Sequence, residues 1–484
     1  MLDLGRLSVA QRQAVLAEVG PLLIVAGPGS GKTTVLAARI AYVIIGRKVA
    51  PASVLALAFA ARAARDLRAR LYDLIGDTAQ EVTVSTFHAF GLRIVRRWSE
   101  ELGFESGPLA VYDTDDARAL LYEAARRIRF DLSGPPTCEL VEKVACARLR
   151  PDDPSVSTGI KELATVYEQS LLRRRAIDFP GMLVMPLRLF TARPDILRVL
   201  QDSYRCVLCD EFQDICAGQY ELLRQLTARH RNLAVVGDPC QAVFRWRGAD
   251  ARFLLDVARD FPDARQIDLT QNYRSTGQIV AVANALSARL ASRPPLWTAN
   301  PTGQPVFLKM LADEQAEAAF VVSEIRRLLD TGVVGDLAHI AVLFRTNHQA
   351  TPLTFAFRAS GLRYRARDGM CLHRSDGLAI SDQGPPAVLL TTIHSAKGGE
   401  WRVVFVVGIE EGLLPHHRAL EADRRSGCGL DEELRLLYVA VTRTQERLYL
   451  SYCLTRQIGA RREMRRPSRF LSELRSNVAT LVVA

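Results

Sequence analysis

The chain has 484 residues, 48% hydrophobic and 24% charged, ordinary globular material long enough for two to four domains that each bury a core. No apolar run approaches the roughly 18 residues of a membrane span, and no basic segment leads into an apolar one at the start, so neither spanning nor secretion is expected and a cytoplasmic location is. The formal charge is +10 with only six Lys among 63 basic residues, an Arg-rich excess compatible with a polyanionic partner such as nucleic acid, while nine Cys without framework spacing point to reduced thiols.

Ser8 reads as the N-cap of a short amphipathic helix carrying Gln11, whose amide donor and acceptor suit the edge of adenine. Residues 22–25 read as a buried strand and 35–40 as a helix. Between them, Ala26-Gly27-Pro28-Gly29-Ser30-Gly31-Lys32-Thr33-Thr34 has the spacing GxxxxGK[ST], with Ala26 in place of the first Gly. Gly29 and Gly31 let the chain wrap closely and aim successive N–H groups at one anion, and the helix start adds its positive dipole end. Lys32 reaches the β- and γ-phosphates, and the Thr33 hydroxyl offers one Mg²⁺ position. ATP or a related nucleotide is the expected ligand.

A second strand is read over 54–59 and a helix over 61–74. A third strand, 82–88, ends in Ser85, Thr86, Phe87 and His88, where α/β sheets bind ligands. From about Trp98 to Ala176 helical periodicity takes over (115–128 and 160–172), which reads as a helical insertion. The strand at 204–209 ends in Asp210-Glu211: Asp210 to hold Mg²⁺ through water, Glu211 to orient and deprotonate the attacking water. Cys206 and Cys209 form a CxxC inside that strand and read as small buried hydrophobes. Another strand, 233–238, leads to Gln241, a γ-phosphate sensor, and then to Phe244 and Trp246 alternating with Arg245 and Arg247. Aromatic faces beside cations make a base-stacking platform, although Trp246 alone would equally read as core.

With those residues in order, the chain resembles the superfamily 1 DNA helicases of the UvrD/Rep/PcrA group over nearly its whole length. Gln11 matches the Q motif, 26–34 the Walker A and 210–214 the Walker B, and 237–250 resembles GDxDQxIYRWRGAD. Gln271-Asn272-Tyr273-Arg274-Ser275 is the group's QNYRS, 391–401 resembles TxHxAKGLEF, and 432–443 resembles EERRLxYVAxTR. The resemblance implies Tyr273 near the adenine, Arg274 on the γ-phosphate and Arg443 as arginine finger. It also implies Ser30, Thr34, Arg39 and Glu400 among the nucleotide contacts. On the DNA side it implies Phe59, Ser85, Thr86, Phe87, His88, Phe244, Trp246, Arg247, His394 and His416.

The implied fold is α/β: two RecA-like, P-loop NTPase-type parallel-sheet domains with a helical insertion in the first. The boundaries expected are 1–97 and 178–263 for the first motor domain, 98–177 for the insertion and 264–484 for the second motor domain. The group's large insertion in the second domain is replaced here by a short linker at 365–387. The motif TFTNKAA appears as Ala58-Phe59-Ala60-Ala61-Arg62-Ala63-Ala64, which loses two hydroxyls and an amide, and Gly399 replaces Leu. The function implied is an ATP- and Mg²⁺-dependent 3′-to-5′ helicase or translocase. Its partners are single-stranded and tailed duplex DNA, with a protein partner standing in for the missing insertion and no membrane. The alternatives are a translocase that separates duplex poorly, and an ATP-gated clamp on DNA or a partner.

Overall fold

Two sets of apolar strands, each alternating with helices, build two parallel sheets. The computed structural model describes residues 4–132, 137–150, 152–245, 248–250, 252–290, 293–366, 385–426, 429–459, 461–474 and 478–480. Its contacts divide into two units. The first holds Met1–Val25, Lys32–Gly237 and Phe244–Ile267, and the second Ala26–Gly31, Asp238–Val243 and Asp268–Ala484.

In the first unit the strands are β1 (Leu22–Ala26), β2 (Val54–Ala58), β3 (Thr83–Thr86), β4 (Ala110–Val111), β5 (Ala176–Ile177), β6 (Cys206–Cys209), β7 (Leu233–Gly237) and β8 (Arg265–Leu269). The main sheet runs β3-β2-β6-β7-β1-β8. Its registers (Val25 opposite Gly237, Cys209 opposite Val235, Leu57 opposite Cys209) are parallel and bring the carboxyl ends of β1, β2, β6 and β7 to one edge. Every residue of β2, β6 and β7 is buried, as expected of strands covered on both faces. Burial pushes the Cys206 thiol up to about 11 and Cys209 well above its ordinary value, so this CxxC is core. The helices of this unit include α1 (Val9–Leu16), α2 (Lys32–Ile45), α3 (Ala61–Ile75), α4 (Phe87–Arg97), α5 (Thr114–Arg127), α6 (Thr137–Leu149), α7 (Thr158–Arg173) and α8 (Gly181–Ala192).

The helices α5, α6 and α7 bury a core of their own around Leu120, Leu121, Val144, Leu163 and Tyr167. The two-residue parallel pair of β4 with β5 lies at the two ends of this stretch. Arg148, nearly fully buried, is held by Asp178 at 2.7 Å and Glu168 at 3.0 Å, and Tyr167 donates to Asp178 at 3.0 Å. Losing one partner here would strand a buried charge, a defect of about 3–5 kcal/mol.

The second unit contains β9 (Val306–Leu311), β10 (Ile340–Phe344), β11 (Tyr364–Ala366), β12 (Val388–Thr392), β13 (Trp401–Val406), β14 (Thr444–Cys453), β15 (Thr455–Ile458), β16 (Arg461–Met464) and β17 (Val478–Thr480). Seven of them form the sheet β11-β12-β10-β13-β14-β9-β17, with every neighbouring pair parallel. Its core includes Val321, Ile325, Val342, Phe344, Leu390 and Phe405. The linker expected from residue 365 starts later than its composition implied. Arg365 and Ala366 pair in parallel with Leu389 and Leu390, so they are an edge strand, because β12 has an unpaired side to extend. Positions 367–384 of that linker lie outside the described residues. No described helix is long and apolar enough to cross a membrane.

Candidate functional site

At the carboxyl end of β6 the chain turns sharply into Asp210 and Glu211. Glu211 takes a left-handed backbone (φ 51°), unusual for a side chain of this size and of the kind found where structure holds a reactive group in place. Its carboxylate accepts from the Gln213 side chain, and its N–H donates to Asp210 Oδ1 at 2.9 Å. Asp210 is 2% exposed. Burial first, and the charge of Glu211 second, push its carboxyl up to about 7, and Lys32 only partly offsets them. Thr33 follows Lys32 in the first turn of α2, which carries no acidic residue.

Gln11 is buried on α1, and its side-chain oxygen accepts from Ser8 N–H at 3.0 Å in a reciprocal capping box. Arg39, implied as a nucleotide contact, is not one. It is 1% exposed and donates to the backbone oxygens of Ala14 and Ala17 at 3.0 Å and of Glu18 at 3.2 Å. The carbonyls at the end of α1 have no intrahelical partners, and a buried guanidinium supplies them. Thr34, in contrast, is exposed, and its hydroxyl accepts from Arg70 at 3.2 Å.

In the second unit the glycine loop 26–31 is stapled to the QNYRS turn. Asn272, 2% exposed, donates to Pro28 O at 2.8 Å and accepts from the N–H groups of Arg274 and Ser275. Tyr273 N–H donates to Gly29 O at 2.8 Å. Gly29 needs its identity twice over, since its φ is +66° and a Cβ there would fall 2.7 Å from Arg274 Cβ. Gly31 is also left-handed (φ 80°), and the buried Ser30 hydroxyl braces the loop by donating to Gly27 O at 2.7 Å. Tyr273 keeps its ring 45% exposed. Asn272 holds this arrangement together, a role that its place inside the motif does not announce.

The arginines of this unit are engaged. Arg274 Nε donates to Glu400 at 2.6 Å and Nη1 to Thr442 O at 2.9 Å. Arg443, 3% exposed, donates to Val439 O, to Gly399 O and to Gln241 Oε1, the last at 3.2 Å. The Gln241 amide nitrogen donates in turn to Asp238 at 2.8 Å, and Lys397 Nζ donates to Gln241 O at 2.6 Å. The Gly399 departure has a packing reason: a Cβ there would fall 2.3 Å from the Trp401 ring. An indole in the place of the motif's Phe fills the space that its Leu would occupy.

On the implied DNA side, Phe59 and Phe244 are half-buried and stack on each other, centroids 5.3 Å apart and planes 19° off parallel. Ser85 donates its hydroxyl to Thr86 O, and Thr86 N-caps α4 by accepting from Ala89 N–H. Phe87, implied as a base contact, is corrected: at 1% exposure it is a core residue packed among the side chains that cover the sheet. His88 is half-buried and meets Phe179 edge-on at 5.7 Å, and burial lowers its pKa. Phe179 is 49% exposed and went unnoticed in the sequence; its only local signal was an aromatic between Asp178 and Pro180. His394 is half-buried just past β12. His416 is half-buried as well; burial and the neighbouring Arg345 lower its pKa to about 4, and its N–H donates to Glu433, the bidentate partner of Arg345. Trp246 and Arg247 lie outside the described residues.

A family model described as the UvrD/REP helicase N-terminal domain matches residues 7–262, and one described as the UvrD-like helicase C-terminal domain matches 267–376 and 370–455. Among curated proteins, the ATP-dependent DNA helicase PcrA of Staphylococcus aureus (strain Mu50) is 27% identical over 637 positions, covering 97% of this chain and 86% of its own length. The ATP-dependent DNA helicase PcrA of Bacillus subtilis (strain 168) is 26% identical over 640 positions with the same coverages. These alignments are longer than the 484-residue chain, so the relatives carry residues that have no counterpart in it.

Proposed function

The chain belongs to the UvrD/REP helicase family, and from that premise we propose that it couples ATP hydrolysis to 3′-to-5′ movement along single-stranded DNA. The observation that carries this reading is the pair of carboxylates at the end of β6, Asp210 buried and Glu211 held beside it on a left-handed backbone, with the charge of Lys32 acting on Asp210. A buried carboxylate with a hydroxyl at the start of the phosphate-loop helix is oxygen chemistry that fits Mg²⁺: Thr33 and Asp210 would hold it, and when bound it supplies charge neutralisation for the phosphates. The left-handed Gly29 and Gly31 fit a phosphate cradle in the same way.

Each residue then has a task. Lys32 binds the β- and γ-phosphates. Glu211, held by Gln213, accepts the proton of the attacking water. Gln241 senses the γ-phosphate and passes its loss to Arg443 through their hydrogen bond. Arg274 and Arg443 stabilise charge on the transferring phosphoryl group, for which they must leave Glu400 and the Gly399 carbonyl. Phe59, Phe244 and His88, with Phe179 added, offer stacking surfaces worth about 1–3 kcal/mol per base without regard to sequence.

A second reading has one observation behind it. The relatives' alignments contain residues this chain lacks, so its duplex separation is weak and single-strand stepping is its main activity. The test of both is unwinding of 3′- and 5′-tailed duplexes, displacement of streptavidin from a single strand, and ATPase measured alongside. Strong stimulation of ATPase by single strands, with modest unwinding from a 3′ tail alone, is expected. Efficient unwinding from a 5′ tail would refute the polarity. Absence of any stimulation by DNA would replace the motor with an ATP-gated clamp.

A further inference from the structure

Arg293 follows the helix Gly277–Ser287 and lies outside every motif of the resemblance, yet its guanidinium sits among the residues proposed to sense the γ-phosphate. Its Nη2 donates to the Tyr438 hydroxyl at 2.6 Å, and its guanidinium carbon stands 5.7 Å from the centre of the Tyr438 ring. Nη1 lies against the phosphate loop, where a Cβ on Gly27 would fall 2.9 Å from it. Tyr438, fully buried, donates in turn to Asp238 Oδ2 at 3.5 Å. Asp238 is fully buried as well and accepts from Cys240 N–H at 3.0 Å and from the Gln241 amide nitrogen at 2.8 Å. Arg293 also donates to the Cys240 thiol, which burial and the Asp238 charge push up to about 12. The group at position 240 is therefore neutral, where the motif GDxDQ has a carboxylate, and the carboxylate whose charge acts on Arg293 is Asp238. A buried guanidinium without opposite charge is costly, so Arg293 and Asp238 answer each other across Tyr438.

We infer that Arg293 is a positioning residue for Gln241, acting through Tyr438 and Asp238, an inference that rests on the ATP hydrolysis proposed above. A carboxamide has a donor end and an acceptor end, and the same space holds it either way round. Asp238 accepts at the Gln241 nitrogen, so the oxygen is left for Arg443, which donates to it at 3.2 Å. Asp238 is held in turn by Cys240 N–H and by the Tyr438 hydroxyl. A guanidinium only donates, so Arg293 takes the acceptor side of that hydroxyl and leaves its proton for Asp238. Without Arg293 the hydroxyl is free to turn, Asp238 loses its charge partner, and the Gln241 amide is no longer held to one orientation. Arg293 reaches no phosphate in this scheme. It fixes which end of the sensor the arginine finger meets.

The experiment compares the full chain with Arg293→Met, Arg293→Lys and Tyr438→Phe, each alone and combined with Gln241→Ala, by DNA-stimulated ATP turnover, ATP affinity and thermal melting. Arg293→Met is expected to lower kcat about tenfold, the scale of one charge-assisted hydrogen bond, and to move ATP affinity by less than about twofold. Tyr438→Phe removes one hydroxyl and keeps the ring, so it should lower kcat about threefold, and Arg293→Lys should recover part of the loss. On the Gln241→Ala background neither Arg293→Met nor Tyr438→Phe should lower kcat further, because both act through the side chain already removed. A defect of folding would keep its full effect there, and Tyr438→Phe carries the same cycle if Arg293→Met melts early. A loss of kcat that persists undiminished without Gln241, an ATP affinity that falls as far as kcat, or an unchanged kcat in both variants would overturn the inference. A wild type without ATP turnover would overturn the hydrolysis itself, and this role with it.

Discussion

Asp210 and Glu211 leave β6 side by side, and burial together with the Glu211 charge raises the Asp210 carboxyl, an effect that Lys32 only partly offsets. In the second unit Arg274 and Arg443 are the reverse case, each with its donors placed on a carboxylate, a carboxamide or backbone carbonyls. The acidic pair is crowded by its own like charge, whereas the two arginines already rest on acceptors. On the function proposed above, ligand binding would change the two in different ways: cation and phosphate would add opposite charge to the first, while the second would exchange existing hydrogen bonds for new ones.

The strongest way to break the comparison is to remove the basic side. Arg443→Ala should lower DNA-stimulated turnover by about 10³ while ATP affinity moves far less, the behaviour of an arginine finger. Single-turnover kinetics beside a binding titration would separate the two, and a mutant that lost binding as well would make Arg443 an anchor of the ground state.

Next in size is the acidic side. Glu211→Gln keeps the shape and the Gln213 contact but removes the base, so turnover should fall by roughly 10² with ATP still bound. Lys32→Ala should instead weaken binding and turnover together. Near-normal turnover in Glu211→Gln would take the general base away from Glu211.

A smaller effect sharpens the role of Gly399, whose carbonyl holds Arg443. Gly399→Leu pushes a side chain into the Trp401 ring and should cost about 1–3 kcal/mol of stability, the range for overpacking. Adding Trp401→Phe should recover most of it. Denaturant melts of the single and double variants measure this, and a double variant no better than the single would mean that the two positions are independent.

The smallest effect concerns His416, whose pKa is lowered to about 4 by burial and by Arg345. Its folded value lies below its unfolded one, so the folded state holds fewer protons. Its contribution to stability is present above about 6.5, the unfolded value, and is lost as pH falls toward 4. Melting curves of wild type and His416→Gln should coincide in relative position above pH 7 and separate in favour of the variant below pH 6. The same value keeps His416 neutral near pH 7, so any DNA contact it makes there is not an ion pair, and DNA affinity should show no step between pH 6 and 8 that His416→Gln removes.

Much of the molecule was legible in one dimension because its signals are local. A buried parallel strand is a run of apolar residues, and β1, β2, β6 and β7 stand close to where the runs placed them. The glycine loop needs fixed spacing, so its residues announce themselves, and Asp210 and Glu211 followed from the strand before them. What a side chain touches was not legible. Phe87 stands in a run of polar strand-end residues, yet it is the first residue of α4 and faces the core. Arg39 sits on the helix that carries the phosphate loop, yet it turns inward to the carbonyls ending α1, about 20 residues earlier in sequence. Phe179 meets His88 and Arg70 meets Thr34 only because distant segments converge. Spacing along the chain determines which backbone groups form strand, loop and helix. Only packing in three dimensions decides whether an aromatic faces solvent or core, and whether an arginine serves a ligand or a helix end, since burial and hydrogen-bond demand are set by neighbours that sequence order does not bring together.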